Sequence, residues 1–202
     1  MPNKPSTSQS ASQSAGQNFE SDDLSVKVSE LLVATADQSD EALDQSIREV
    51  LALLRERMAM DVVFVSEFVE GQRAFRQVAQ APGVKLLTEG HSDPLEASWC
   101  QRVVDGRLPQ FMADARQHPA AALLLKDLSH PIGTHISTPV VLSSGEVFGT
   151  LCCFSFQPNG QSSIEDLSRL KMTARLAAHR LEQRRQVRPA PTEVPTWTLK
   201  PK

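Results

Sequence analysis

The residues of this chain with the most chemical potential are three cysteines, five histidines and one carboxylate inside an apolar run. Cys152 and Cys153 are adjacent, and neighbouring side chains of a β-strand project to opposite faces. The pair therefore cannot chelate one metal ion or face one ligand, and each reads as a small buried apolar residue. An odd thiol count with an adjacent pair makes no disulfide framework, which points to a reducing cytoplasm. His91, His118, His130, His135 and His179 are scattered, and no two have the spacing usual for metal ligands. His130 and His135 flank Pro131-Ile-Gly-Thr134, a loop-like stretch that would leave both solvated or hydrogen-bonded. Glu67 interrupts an apolar strand, either at an exposed strand end, the favoured reading, or as a paired polar anchor. These residues offer no catalytic constellation, no metal site and no cofactor motif.

The charge pattern narrows the partners. A net charge of −3 argues against nucleic acid and membrane surfaces. From Gly160 onward there are nine Lys and Arg against four Asp and Glu, a basic excess along one terminal helix. Such a face complements the C-terminal helix dipole, and no interleaved aromatics make it a nucleic-acid motif. No run of apolar residues is long enough to span a bilayer, and the start of the chain has no apolar signal core.

The elements that must position these groups follow from periodicity. A chain of 202 residues fits one domain with tails. Residues 1–22, rich in Ser and Gln, read as a disordered tail, 23–38 as a lead-in helix or linker, and 188–202 as a disordered Pro-rich tail carrying Trp197. Within 39–187, Leu43, Ile47, Val50, Leu51, Leu54 and Met58 form a helical stripe. Asp61–Val69 and Arg73–Ala79 predict a hairpin around Glu70-Gly-Gln72. Val84–Thr88 is a candidate strand, and Ser92 or Asp93 a candidate cap for a helix running from Pro94 to about Val104 and closed by Gly106. Leu108–Met112 reads as an edge segment and the stretch after His118-Pro119 as a short helix. Thr134–Leu142 and Val147–Phe156 are two apolar strands joined by a turn, and Ser162-Ser-Ile-Glu165 is a capping box for a last long helix. Two hairpins give an antiparallel sheet, an α+β fold, with the two long helices on one face. The irregular helical insert must then cover the other, leaving room for a cavity.

This order of elements resembles the GAF domain family. The likeness rests on Ser98-Trp-Cys-Gln-Arg-Val-Val-Asp-Gly-Arg-Leu-Pro109, Met112-Ala-Asp-Ala115, Thr138-Pro-Val-Val141 and Val147-Phe-Gly-Thr-Leu-Cys-Cys-Phe-Ser155. It spans about Asp40 to about Gln186 and looks most similar to GAF domains of cyclic-dinucleotide signalling proteins, here without an output domain. The resemblance implies a central sheet of five to six strands and a sensory module.

It also implies site residues. In GAF-fold enzymes that reduce free methionine sulfoxide, a cysteine precedes an aspartate by the spacing of Cys100 and Asp114. The attacking thiol of those enzymes matches Leu124 or Leu128 here, and without a nucleophile that reaction has no first step. Bilin attachment uses a Cys-His pair, whereas Gln101 follows Cys100. The comparison turns Thr150, Cys152 and Phe154 toward the cavity and Leu151 and Cys153 toward the long helices, with His135 at a ligand-contacting position. The acids that hold an amino-acid amine are replaced by Cys152 and Phe154, so the implied ligand is apolar or aromatic, with Trp99 closing the pocket. The expected ligand-binding set is therefore His135, Thr150, Cys152, Phe154, Trp99, Cys100 and Asp114, with no catalytic residue, metal or cofactor. The expected function is a sensor, not an enzyme, that binds a small, weakly polar molecule. It would signal through its terminal helices to a partner protein and pair as a homodimer through the same helices. Two alternatives remain: a ligand-free dimerisation scaffold, in which the Pro-rich tail could be a binding motif, and a methionine sulfoxide reductase-type enzyme.

Overall fold

The computed structural model of the chain describes residues 40–187. The expected tails, 1–22 and 188–202, and the expected lead-in segment, 23–38, lie outside the described residues. Helix α1 (Asp40–Arg57) presents Ile47, Val50, Leu51 and Leu54, and Met58 just beyond its end, all buried. One apolar stripe of this kind decides which face meets the core. The chain leaves α1 through Ala59 at a φ of +48°. Asn159 holds this exit, its amide donating to the carbonyls of Met58 (2.9 Å) and Ala59 (3.3 Å).

Strand β1 (Val62–Val69) and strand β2 (Gln72–Gln80) form the first hairpin. Glu70 and Gly71 join them, both at positive φ (51° and 72°), the conformation whose twist suits a two-residue hairpin loop. Next come β3 (Ser92–Pro94), helix α2 (Trp99–Val104), β4 (Phe111–Met112) and helix α3 (Pro119–Leu124). The second hairpin is β5 (His135–Val141) with β6 (Val147–Phe154), slightly shorter at its outer ends than the apolar pattern predicts. The chain closes with helix α4 (Ile164–Val187). The six strands lie in the order β3-β2-β1-β6-β5-β4 and every pairing is antiparallel. This is the α+β fold expected, with a sheet of six strands.

Helix α1 packs on β1 and β2, and α4 on β5 and β6. Leu51, Leu54, Ile136, Leu151 and Leu170 are the centre of that layer. The insert covers the opposite face, where Phe64, Phe75, Trp99, Cys100, Cys152 and Phe154 cluster. Leu151 and Cys153 thus sit on the helix side and Cys152 and Phe154 on the insert side. At the centre, β1 and β6 approach closely: a Cβ on Gly149 would lie 1.9 Å from the Ser66 carbonyl oxygen.

Several local expectations need correction. Ser92-Asp93-Pro94 does not start a helix, because Arg73 pairs with Asp93 and draws the segment onto the sheet edge. The α2 cap is Ser98, whose hydroxyl accepts from the Gln101 N–H at 3.1 Å. Val84–Thr88 is not a strand. Gln80 takes its backbone instead, accepting from the N–H groups of Leu86 and Leu87 and donating to the Leu87 carbonyl. The capping box lies one residue later than expected: the Asp166 carboxylate accepts from the Ser163 N–H at 3.0 Å. Glu67 is a paired anchor, its carboxylate held by Arg76. Arg180, one of the basic residues of α4, is buried and donates to Gln183 at 2.6 Å.

Candidate functional site

The insert leaves a cavity of about 70 Å³ above the sheet. Phe64, Arg73, Phe75, His135, Cys152 and Phe154 form its floor, and Trp99 and Cys100 of α2 form its roof with His130 and Ile132. Five of the seven residues singled out in the sequence are therefore together: Trp99, Cys100, His135, Cys152 and Phe154. Thr150 lies behind the wall, fully buried, sharing a 2.9 Å hydrogen bond with Ser66 and reaching the Cys100 thiol. Asp114 does not join them. It caps the turn Ala115–Gln117, accepting from the Arg116 N–H at 3.1 Å, and its carboxylate is paired with the Arg116 guanidinium. The carboxylate is used up by its own turn.

Arg73 is the functional residue the sequence reading missed. Its Nε donates to Asp93 at 2.9 Å and its Nη1 to Cys100 Sγ at 3.3 Å. The guanidinium lies 4.8 Å from the Phe75 ring centre and 5.9 Å from that of Phe64. Flat cations favour such aromatic faces. The available signal was an Arg two residues before Phe75, on the same face of its strand.

The charge placed beside Cys100 alters its acidity. Burial alone would raise the Cys100 thiol, but contacts with Cys152, Arg73 and Thr150 outweigh it and lower the thiol below its ordinary range. Cys152 goes the other way, raised by burial and by Cys100. The two thiols thus shift in opposite directions, Cys100 toward the thiolate and Cys152 toward the protonated thiol.

His135 is not in a loop; it opens β5 and is 1% exposed. Its Nε2 lies 3.3 Å from Cys152 Sγ, and its ring meets Trp99 edge-on at 5.1 Å. In the Nε2–H tautomer, His135 donates to the Cys152 sulfur and Nδ1 is a bare acceptor. Nδ1 is buried and has no partner. Burial, reinforced by the nearby Arg73 charge, pushes the His135 pKa down to about 3, so the ring is neutral. His130 stacks on Phe154 at 5.7 Å, and burial lowers its pKa as well. The wall is therefore aromatic and sulfur-lined, with one unanswered acceptor and one buried cation already engaged. Among the described residues, no three His, Cys, Asp or Glu side chains converge as metal ligands. Nor is any described helix long and apolar enough to cross a membrane.

Solved structures share this architecture. The GAF domain of the Acinetobacter phosphoenolpyruvate-protein phosphotransferase superposes with a TM-score of 0.65 at 16% identity, over 86% of this chain and 98% of that one. The chromophore-binding domain of a bacteriophytochrome from R. palustris gives 0.65 at 11%, over 87% of this chain and 64% of that one. The free methionine-R-sulfoxide reductase of Neisseria meningitidis, solved with its substrate, gives 0.62 at 17%, over 90% and 98%. At such identities the likeness is one of fold. No curated protein matches the sequence. The family model for the GAF domain matches residues 40–182, and with the helix-sheet-insert architecture it places this chain in the GAF domain family, whose members are small-molecule-binding sensory and regulatory domains.

Proposed function

We propose that this GAF domain senses a small, weakly polar molecule between the insert and the sheet, without turning it over. The observation that carries the reading is the partnerless Nδ1 of His135, buried on a ring that lines the cavity. A buried acceptor left unanswered is unfavourable, and a ligand bearing one O–H or N–H donor on an apolar or aromatic body would satisfy it. Trp99, Phe64 and Phe154 offer the apolar contact. The free volume of about 70 Å³ is far below that of a usual ligand pocket. Binding therefore goes with outward movement of the insert, and this movement is the signal. Helices α1 and α4 carry it to a partner protein that supplies the output, a cyclic-dinucleotide enzyme being the kind the sequence resembles. Pairing of two copies through these helices, and a cytoplasmic location in keeping with three free thiols, belong to the same proposal.

The test is a thermal-shift screen of small donor-bearing aromatics, with native mass spectrometry of protein purified from its own host. A ligand at a hundred times its dissociation constant should raise the melting temperature by roughly 5–10 °C, and His135→Phe should remove the shift. A screen without hits and a protein that carries no small molecule from its host would overturn the reading. A ligand-free pairing scaffold is the second reading, favoured by the small cavity and by a groove of about 460 Å³ lined by Ile47, Val65, Ala177 and Leu181 between the helices. Sedimentation as a strict monomer at high concentration removes it.

A further inference from the structure

Cys100 and Cys152, held by Arg73 and by the Nε2 side of His135, form a thiol pair that ligand sensing does not use. Cys100 sits in α2 of the insert and Cys152 in β6 of the sheet, and both side chains line the same cavity of about 70 Å³. Arg73 holds Cys100 Sγ from β2, and Asp93 of β3 holds Arg73 in turn. His135 of β5 holds Cys152 Sγ from the other side. With His130 of the cavity roof, Arg73 and His135 are the charged and titratable groups that line the cavity beside the pair. Cys153, one residue on, points into the helix-side core, where burial and Asp166 raise its thiol.

We propose that Cys100 and Cys152 form a peroxide-reactive thiol pair that closes into an intramolecular disulfide between α2 and β6. The cavity beside them, about 70 Å³, admits hydrogen peroxide but not a bulky oxidant. The Cys100 thiolate takes one oxygen as the O–O bond breaks, giving a sulfenic acid and hydroxide, and the hydroxide takes a proton from solvent. The Cys152 sulfur then displaces the sulfenic hydroxyl, its own proton leaving with that group as water, and the S–S bond forms. Two electrons pass from the two sulfurs to the peroxide. A dithiol reductant restores the pair by exchange. Arg73 and Thr150 stabilise the attacking thiolate, and His135 positions the resolving sulfur. The function is redox sensing, and it stands whether or not the cavity takes another ligand.

The test treats the full chain with hydrogen peroxide, alkylates the remaining thiols after unfolding, and maps the peptides by mass spectrometry. The expected result is a loss of two hydrogens, a Cys100–Cys152 cross-link, and Cys153 alone alkylated. Cys152→Ser should stop at a Cys100 sulfenic acid that dimedone traps when the chain is unfolded in its presence. Only a few per cent of an ordinary thiol is ionised at neutral pH, so Arg73→Gln should slow the oxidation by roughly thirtyfold. Should that variant fail to fold, the pH profile of the unaltered chain gives the same information. Its rate should stay level from about pH 8 to about pH 6, where an ordinary thiol slows nearly tenfold per unit. Oxidation of Cys153 as fast as Cys100, a rate that falls tenfold per unit, or folded protein that keeps all its thiols would overturn the proposal.

Discussion

Replacing His135 with Phe should make the domain more resistant to acid, and the size of the effect follows from the site. In the folded protein the His135 pKa lies at about 3, while in the unfolded chain it takes the ordinary value of about 6.5. The folded value is depressed, so the unfolded state binds the proton more readily. The neutral ring's contribution is fully present above about pH 6.5 and is lost as pH falls from there toward 3. Each pH unit within that window is worth about 1.4 kcal/mol. Between pH 7 and pH 5 the unaltered protein should therefore lose roughly 2 kcal/mol that His135→Phe keeps. Phe retains the edge contact with Trp99 and gives up only the hydrogen bond to Cys152, so the variant should fold. The assay is urea unfolding of both proteins at pH 7, 6 and 5, followed by circular dichroism. All other titrating groups are common to the two chains, and their effects cancel in the difference. The midpoint gap should widen by about 1 M urea across this range. Parallel midpoints would refute the reasoning, since they would mean that the folded protein accommodates a charged His135.

Two further outcomes test the frame around the site. Gly149→Ala should prevent folding or destabilise the domain by more than about 3 kcal/mol, because the new Cβ would meet the Ser66 backbone at 1.9 Å; circular dichroism and soluble yield read this directly. Asp114→Ala should lower stability by about 1 kcal/mol through loss of its turn cap while leaving ligand binding and thiol oxidation unchanged, which thermal shift and the peroxide assay would establish.

The hairpins and long helices were legible because each repeats one period over many residues. Ile47 to Met58 cannot be mistaken for a strand, nor Val62 to Val69 for a surface helix. The insert was less legible, because its pieces are too short to show a period and are held by side chains from elsewhere. Ser92–Pro94 became a strand only because Arg73 holds Asp93, a pairing across the hairpin that local pattern does not encode. The thiol and aromatic half of the candidate site was readable from strand alternation: once Cys152 faces inward, Phe154 must follow. Asp114 matched a spacing but not an orientation, since Arg116, two residues on, claims its carboxylate. Arg73 escaped notice because a cation in a strand reads as solvent-facing until its carboxylate and thiol partners are placed beside it.

The strand order also constrains how the chain is made. The two central strands, β1 and β6, come from opposite ends of the domain, and each pairs with the other through six residue positions. When β1 and β2 have left the ribosome, one edge of their hairpin is bare and remains so until the chain has been extended to Phe154. A growing chain thus carries an exposed apolar strand edge from the completion of β2 until Phe154 is made, Val62 lying 92 positions before its partner Phe154. Folding should start late and proceed slowly for a domain of this size, and nascent chains stopped before β6 should depend on chaperones and aggregate without them.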